Sequence, residues 1–339
     1  MSVSEVPKFG YLQATSVNDA VSLLTQYAGN ARIIGGATDV LSQMKNNVAG
    51  LIPQFVVDIS GLGLDYLTYS SSDGLRIGAT KTVNDVSLDS NVINNYAALA
   101  QATSSIATPQ IRNQATIAGN VLQEVWCWYL RNNYPSCWRN GGNTCYAAYG
   151  GDNRYYHSIF GGNLCYAIDA SDTAPALFAL GAEATVYGPS GSRTLTMDQL
   201  IPGVTIVDGR VKQNSLAYNE IVAEFHIPTP ASGTKSAYHK VRDRGSVDFA
   251  LASAAVNVTF NGSSVSKASI VLGGVATTPR RAIAAESYLV GNQLTDETVL
   301  TNAAQKATAN AAPLTTGTTN NFRVYLAQGA VKQALRAIA

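Results

Sequence analysis

The region that most restricts how this chain can fold runs from Trp126 to about Asn163, where hydrophobic periodicity stops. It begins with CWYLRNNYPSCWRNGGNTC and precedes GGNLCYAIDASD. An irregular run of this length inside a compact domain is uncommon and is usually functional. Its aromatic residues argue against disorder, so we expect something other than an apolar core to hold it. It contains Cys127, Cys137 and Cys145, and the remaining cysteine of the chain, Cys165, follows just after it.

The spacing C-x9-C-x7-C-x19-C leaves three kinds of site open. Two disulfides require an oxidising compartment, and a chain of 339 residues with its own core needs none. Structural zinc usually draws on tight C-x2–4-C knuckles, which this pattern lacks. An iron–sulfur cluster needs four thiolates that converge from loops, with N–H donors nearby. Confinement to one region disfavours four unrelated buried thiols.

Charge and composition exclude several classes of function. Lys and Arg number 23 against 22 Asp and Glu, so nothing attracts the chain to nucleic acid or to an anionic membrane. No run approaches the roughly 18 apolar residues of a membrane span, and the N-terminus lacks the pattern of a signal peptide. We therefore expect a cytoplasmic protein, or a periplasmic one exported bound to a signal-bearing partner.

Hydrophobic patterns predict alternating helices and strands first, and strands followed by helices later. A helix capped near Ser16 precedes strands at ARII, FVVDIS and LRIGA, and residues 82–107 have a helical pattern with Ser87 or Asp89 as cap. A hairpin is predicted at Gly188–Gly191, and EIVAEFHIP predicts a strand. From about residue 230, three strands and then two helices predict a separate C-terminal α+β domain.

Two glycine turns could each cradle a phosphate. Gly35-Gly36-Ala37-Thr38-Asp39 lies between a strand and a helix, where backbone N–H groups and the helix dipole favour an anion. Thr116-Ile117-Ala118-Gly119-Asn120 follows a second polar segment that starts at Thr108. Each turn alone is equally well explained as an ordinary tight turn. Neither matches GxGxxG or a Walker loop.

Four segments together resemble the FAD-binding subunits of the molybdenum hydroxylases, the xanthine dehydrogenase family. IIGGATDVLSQMK is similar to that family's AGGTxLL loop, and IRNQATIAGNVLQ to its IRNxATIGGN motif. Ala170–Pro175 resembles its SD-x-AP segment, and LGGVATTPRRAIAAESYLVG its LGGVAPxPxRAxxAE stretch. The four occur in the family's order and span nearly the whole chain.

The resemblance implies an α+β fold. A two-subdomain FAD-binding domain of the vanillyl-alcohol-oxidase (PCMH) type would occupy 1–60 and 61–229, with an iron–sulfur loop at about 123–168, and a C-terminal α+β domain would occupy 230–339. Asp172 would accept from a ribose or ribityl hydroxyl, and Lys240 would lie near the flavin ring. The remaining FAD contacts that it implies are Gly35, Gly36, Ala37, Thr38, Asp39, Thr108, Thr116, Gly119 and Asn120.

Ala37 and Ala118 stand where the family has glycine. The replacement matters only where the backbone needs a positive φ, which alanine tolerates poorly.

One branch of the family, similar to bacterial aldehyde oxidoreductases and to 4-hydroxybenzoyl-CoA reductase, carries an extra loop that binds a 4Fe-4S cluster. Counterparts of Asn153-Arg154, His157 and Gly161 support a match to the aldehyde-oxidoreductase pattern. The resemblance therefore implies that the four cysteines ligate a 4Fe-4S cluster. His157 is expected to form a hydrogen bond there and not to be a ligand.

The function implied is an electron-transfer subunit within a larger complex. One partner would carry the molybdenum cofactor, a second would carry 2Fe-2S clusters, and FAD here would pass electrons to an external acceptor. Nothing in the sequence points to a catalytic nucleophile or acid–base pair of its own. The alternatives are a 4-hydroxybenzoyl-CoA reductase-like flavin subunit, an independent flavin oxidase, and a zinc-stabilised nucleotide-binding module without redox activity.

Overall fold

The computed structural model describes residues 5–48, 52–149, 154–162, 164–245, 247–314 and 319–339, with only the backbone for Arg154. Asn153, part of the cluster-loop resemblance, lies outside these residues. Within them, no helix combines the length and the apolar character needed to cross a membrane.

The first layer is a small parallel sheet with two helices. Its strands lie in the order β1-β3-β2, and both outer strands run parallel to β3. Ser16 caps the first helix, as predicted, because its hydroxyl accepts from the Asp19 amide at 3.0 Å. The elements are β1 (Gly10–Gln13), α1 (Val17–Gln26), β2 (Ala31–Ile34), α2 (Thr38–Lys45) and β3 (Phe55–Asp58).

The second layer is an antiparallel five-stranded sheet covered by short helices. Its strand order is β4-β5-β10-β6-β7, and the predicted hairpin at Gly188–Gly191 joins β6 to β7. The strands of this part are β4 (Leu67–Ser70), β5 (Gly74–Gly78), β6 (Glu183–Gly188), β7 (Gly191–Thr196), the two-stranded hairpin β8 (Thr205–Val207) and β9 (Arg210–Lys212), and β10 (Ile221–Ile227). Its helices are α3 (Val83–Leu88), α4 (Ser90–Asn95), α5 (Ala97–Ser104), α6 (Pro109–Arg112), α7 (Ile117–Val121), α8 (Trp128–Arg131), α9 (Thr173–Ala179) and α10 (Met197–Leu200).

The helical pattern predicted over residues 82–107 is confirmed, and the chain divides it into α3, α4 and α5; of the two predicted caps, Asp89 is confirmed and Ser87 lies inside α3. Thr82 caps α3 and Asp89 caps α4, where the Asp89 carboxylate accepts from the Asn91 and Val92 amides. Each new cap replaces the hydrogen bonds of a continuing helix. The breaks turn successive apolar faces toward the same core, where Val86, Val92 and Leu99 are all buried.

The third layer is an antiparallel sheet packed against three helices, with strand order β11-β12-β13-β14. The predicted strands and helices of this part are confirmed, and α12 is an addition that the sequence reading did not contain. The elements are β11 (Thr234–Val241), β12 (Ala252–Asn261), β13 (Ser264–Gly273), β14 (Arg280–Arg281), α11 (Ile283–Leu289), α12 (Glu297–Ala307) and α13 (Phe322–Arg336).

The cysteine-rich region lies between α7 and α9 and contains little regular structure. In its described part, α8 and two 3-10 turns (Trp138–Asn140 and Arg154–Tyr156) are its helical elements. A backbone bridge between Trp126 and Ile168 closes its two ends. It therefore leaves and rejoins the second layer at one place, close to the glycine turns.

Candidate functional site

A cavity of about 570 Å³, called here the large cavity, lies between the first and second layers. The volume falls in the range of sites for small molecules and cofactors. Its walls come from the loop after β2, the start of α7, the β8–β9 hairpin and the strand β10. Seven of the residues predicted to contact FAD line it, namely Gly35, Gly36, Ala37, Thr38, Asp39, Thr116 and Gly119.

The first glycine loop leaves the start of α2 without a side-chain cap. Ala37 is its N-cap residue, with φ 58° and ψ 2° in the left-handed region, and its methyl group cannot accept from the helix amides. An L-residue in that region costs about 1–2 kcal/mol. The uncapped amides at the cavity wall are donors that an anion can satisfy. Of the two alanines that stand where the family has glycine, only Ala37 has a positive φ. The replacement therefore strains the backbone at Ala37 and not at Ala118.

The two glycine turns lie directly against each other. A Cβ atom on Gly36 would lie 2.0 Å from the Gln114 carbonyl oxygen, and one on Gly35 would lie 3.3 Å from Thr116 Oγ1. Thr116 caps α7 by accepting from the Gly119 amide at 3.2 Å. Gly36 is thus required by the close approach of the second turn, whether or not a phosphate is bound.

Four cations that the sequence reading missed line the same cavity: Arg32, Arg139, Arg210 and Lys212. Burial lowers the pKa of both Arg32 and Lys212, and the charge of nearby Arg210 lowers them further. An anion in the cavity would relieve this repulsion. Arg32 directly precedes the first glycine loop, whereas the β8–β9 hairpin carries no local motif that could have revealed its two cations.

The remaining predicted contacts form a buried polar network outside the cavity lining. The Asp172 carboxylate accepts from Lys240 Nζ and from the Tyr238 hydroxyl, each at 2.6 Å. The Asn120 amide oxygen accepts from the Thr173 hydroxyl at 2.6 Å. Burial raises the pKa of Tyr238, and the adjacent Asp172 raises it further, so its hydroxyl stays a neutral donor. The network fixes Lys240 against Asp172 in a buried ion pair.

Thr108 belongs neither to the residues that line the large cavity nor to the buried polar network around Asp172. Its hydroxyl caps α6 by accepting from the Ile111 amide at 3.4 Å, and the residue does not line the cavity. Its assignment as an FAD contact has no support in the cavity geometry and stays a prediction.

The cysteines come together as the four-thiol cluster called here the cysteine centre: Cys127, Cys137, Cys145 and Cys165. All four are free of disulfides, and they line a common cavity of about 10 Å³. Burial raises the pKa of the Cys127, Cys137 and Cys145 thiols, and in each case the neighbouring Cys165 raises it further. Thiols that shift one another in this way are close neighbours although they come from separate turns.

Backbone amides counteract this effect at three of the sulfurs. Hydrogen bonds from backbone amides lower the pKa of Cys127, Cys137 and Cys145, and at Cys145 the first of these donors is the amide of Tyr166, which follows Cys165. At Cys137 these donors are the amides of Arg139 and Asn140, in the 3-10 turn. Amides directed at sulfur are a recurring feature of thiolate ligand sites.

The cysteine centre does not have the spacing of a site for a single ion. Within the described ranges, no three His, Cys, Asp or Glu side chains are grouped closely enough to hold one metal ion. Four thiolates on zinc lie about 4 Å apart, because each Zn–S bond is about 2.3 Å. The four thiols line a cavity of about 10 Å³, which has to widen to receive any metal group.

His157 lies beside the centre, with Nε2 3.4 Å from Cys127 Sγ. It packs against Tyr129, whose ring also stacks on Tyr146. The sequence predicts that His157 forms a hydrogen bond in this region. The contact between its Nε2 and the Cys127 sulfur agrees with that prediction. Aromatic rings therefore pack beside the sulfurs together with aliphatic side chains such as Leu130 and Ala167.

The first glycine loop is tied to the cysteine-rich region through Asp39. Its carboxylate accepts from Arg131 Nη2 at 3.0 Å, from the Glu124 amide at 2.8 Å and from Gln43 at 2.7 Å. Arg139, which donates to Cys165 Sγ at 3.3 Å, lines both the large cavity and the cysteine centre. The two cavities thus share part of one wall.

Comparison with known proteins identifies the same two parts. Residues 7–230 match the FAD binding domain in molybdopterin dehydrogenase, and residues 236–338 match the C-terminal domain of the CO dehydrogenase flavoprotein. The FAD-binding subunit of an aldehyde oxidoreductase from Escherichia coli is 35% identical, over 79% of this chain and 82% of that protein. A xanthine dehydrogenase FAD-binding subunit from Escherichia coli is 26% identical, over 96% and 94%.

A solved structure agrees with these matches over nearly the entire chain. The carbon monoxide dehydrogenase of Hydrogenophaga pseudoflava contains a chain that superposes with a TM-score of 0.76 at 28% identity, covering 98% of both chains. The turn geometry, the cavity and these relatives lead to one assignment: the chain belongs to the family of FAD-binding flavoprotein subunits of molybdenum hydroxylases.

Proposed function

We propose that the chain is the electron-transfer subunit of a multi-subunit molybdenum hydroxylase, with FAD in the large cavity and a 4Fe-4S cluster at the cysteine centre. The observation that carries the proposal is the shared wall of the two cavities at Arg139. Electron transfer requires closely spaced redox groups, and a cofactor-sized cavity next to four thiols supplies that arrangement. FAD, when bound, would supply the exchange of electrons with an external acceptor.

The large cavity offers donors suited to the pyrophosphate of FAD. Backbone amides at the start of α2 would bind it from one side, and the turn at Thr116–Gly119 from the other. Arg32, Arg210 and Lys212 bring positive charge to the wall of the same cavity, beside the carboxylates of Glu124, Asp39 and Asp208. These residues would bind and orient the cofactor.

The Asp172–Lys240 pair would serve the flavin end of the site. Lys240 Nζ also donates to the Ser105 carbonyl at 3.2 Å, which leaves it little freedom to move. A fixed positive charge there would stabilise the anionic form of a reduced flavin. Asp172, held by Tyr238, keeps that charge in position.

A 4Fe-4S cluster fits the cysteine centre better than zinc does. The family match at residues 7–230 accounts for FAD and says nothing about the cysteines. The four thiols that line one cavity and the amides directed at sulfur support the cluster. Cys127, Cys137, Cys145 and Cys165 would be its ligands.

The partners proposed are a molybdenum-cofactor subunit and a subunit with 2Fe-2S clusters. The aldehyde oxidoreductase relative is named as a subunit and the CO dehydrogenase relatives as medium chains, so each belongs to a larger assembly. Substrate oxidation would occur on a partner, and electrons would leave this chain to NAD, a quinone-linked carrier, ferredoxin or oxygen.

The test is an absorption spectrum of anaerobically purified protein, with flavin, iron and acid-labile sulfide measured on the same sample. We expect one FAD and about four iron and four sulfide per chain. Flavin without iron would support the assignment as an FAD-binding subunit and would refute the 4Fe-4S cluster. A colourless protein that contains zinc would overturn both assignments.

A further inference from the structure

Arg139 is a buried cation placed between the two proposed cofactor sites. It lies in the 3-10 turn that follows Cys137, and its side chain is 2% exposed. Nε donates to Cys165 Sγ at 3.3 Å, and Nη1 donates to Glu124 Oε1 at 2.6 Å and to Gln213 Oε1 at 2.9 Å. Its Nη2 atom has no hydrogen-bond partner among the described residues.

Such a cation needs negative charge nearby, because burying a guanidinium is expensive unless it is paired. Glu124 is the carboxylate that pairs with it, while Asp39 pairs with Arg131. An arginine side chain keeps its charge in proteins. The charged guanidinium therefore has one face on the Cys165 sulfur and one on the wall of the large cavity.

We propose that Arg139 sets the reduction potential of the iron–sulfur group held by Cys165. This inference rests on the proposed function, in which the cysteine centre holds a cluster. A charged donor to a ligand sulfur, in a site closed to water, stabilises the more negative, reduced state and so raises the potential. Reduction adds one electron and requires no proton, because Arg139 already carries its charge.

The inference assigns opposite effects to the two members of the buried ion pair. Loss of the Nε donor at Arg139 would lower the potential. Loss of the negative charge at Glu124 would raise it, because Arg139 would be less neutralised. A purely structural role for Arg139 predicts loss of stability or of iron in both variants. It does not predict shifts of the reduction potential in opposite directions.

The test compares wild type, Arg139→Lys, Arg139→Met and Glu124→Gln by an anaerobic dithionite titration followed by electron paramagnetic resonance. Iron and sulfide content are measured on each sample. We expect the midpoint potential to fall in Arg139→Lys, to fall further in Arg139→Met, and to rise in Glu124→Gln. Arg131→Met is the matched control, because Arg131 lies in the same region and pairs with Asp39.

Equal potentials in wild type and either Arg139 variant, at equal iron content, would overturn the inference. So would an equal shift in Arg131→Met, which would mean that any lost cation has the same effect. If Arg139→Met does not fold, the opposite signs in Arg139→Lys and Glu124→Gln still decide the question. Wild-type protein without iron would instead refute the cluster in the proposed function, and the role of Arg139 would fall with it.

Discussion

The large cavity and the cysteine centre share a wall, yet different interactions hold them in shape. The cavity is bounded by β2, α2, α7 and β10, whose positions are fixed by sheet pairing and by a large apolar core. The cysteine centre lies in a mainly irregular segment with a small cluster of buried residues. The comparison indicates that the cavity is preformed by the backbone, whereas order at the centre depends on what the sulfurs bind.

Removal of one sulfur is the strongest test of this difference. In Cys145→Ser we expect bound iron to fall to near zero and proteolysis within residues 127–165 to become faster, because the segment loses what holds it. Flavin content should change little. Ser136→Ala, in the same segment, is the control for iron and proteolysis, and iron content equal to wild type in Cys145→Ser would refute the four-ligand assignment.

A methyl group at Gly36 should damage the cavity and leave the centre intact. In Gly36→Ala the new Cβ would lie 2.0 Å from the Gln114 carbonyl oxygen, so the two glycine turns have to separate. We expect a loss of about 1–3 kcal/mol in unfolding free energy, and weaker FAD binding. Gly61→Ala is the matched control, since its Cβ would meet Gln13 at an ordinary 3.6 Å. Unchanged flavin affinity in Gly36→Ala would show that FAD does not bind against this loop.

Asp169 lies where the cysteine-rich region ends, just before α9, and its titration can be tested. Burial, assisted by the neighbouring charge of Asp172, raises its pKa to about 7. Because the folded-state pKa exceeds the unfolded value of 3.8, the stability given by the neutral carboxyl is complete below about pH 4 and is lost as pH rises through 7.

Asp169→Asn keeps this group neutral at every pH. The variant should therefore gain stability over wild type between pH 4 and 8, by on the order of a few kcal/mol at the upper end. Urea unfolding at pH 4.5, 6 and 8 measures the difference, with the exposed Asp65→Asn as control. A difference that does not depend on pH would show that Asp169 is already ionised across this range.

The smallest effects are expected for two alanine-to-glycine changes, one in each glycine turn. The two changes should alter stability in opposite directions. Ala37→Gly should stabilise the protein by about 0.5–1 kcal/mol, because it relieves a left-handed alanine at φ 58°. Ala118→Gly should destabilise it by about the same amount, because that residue lies in α7. Thermal unfolding of both variants checks the signs, and a shift of the same sign in both would contradict this account of Ala37.

Local patterns predicted much of the fold. The helix that begins after Ser16, the hairpin at Gly188–Gly191 and the strands and helices after residue 230 followed from caps, turn residues and periodicity within a few positions. The helical pattern over residues 82–107 predicted helix there but not its division into three helices, because its period continues through the breaks at Asp89 and Tyr96. Packing against one core, and not propensity, decided where those helices end.

By itself the sequence determined the order of the elements, the two glycine turns and the confinement of the cysteines to one region. These features depend on residues that are close along the chain, so their chemistry is readable without a fold. The tertiary structure decided that Thr108 caps α6 away from the cavity lining and that the cations of β9 line the same cavity as the first glycine loop. It also decided that Arg139 reaches Cys165, Glu124 and Gln213, because a buried charge finds its partners only once distant segments have packed around it.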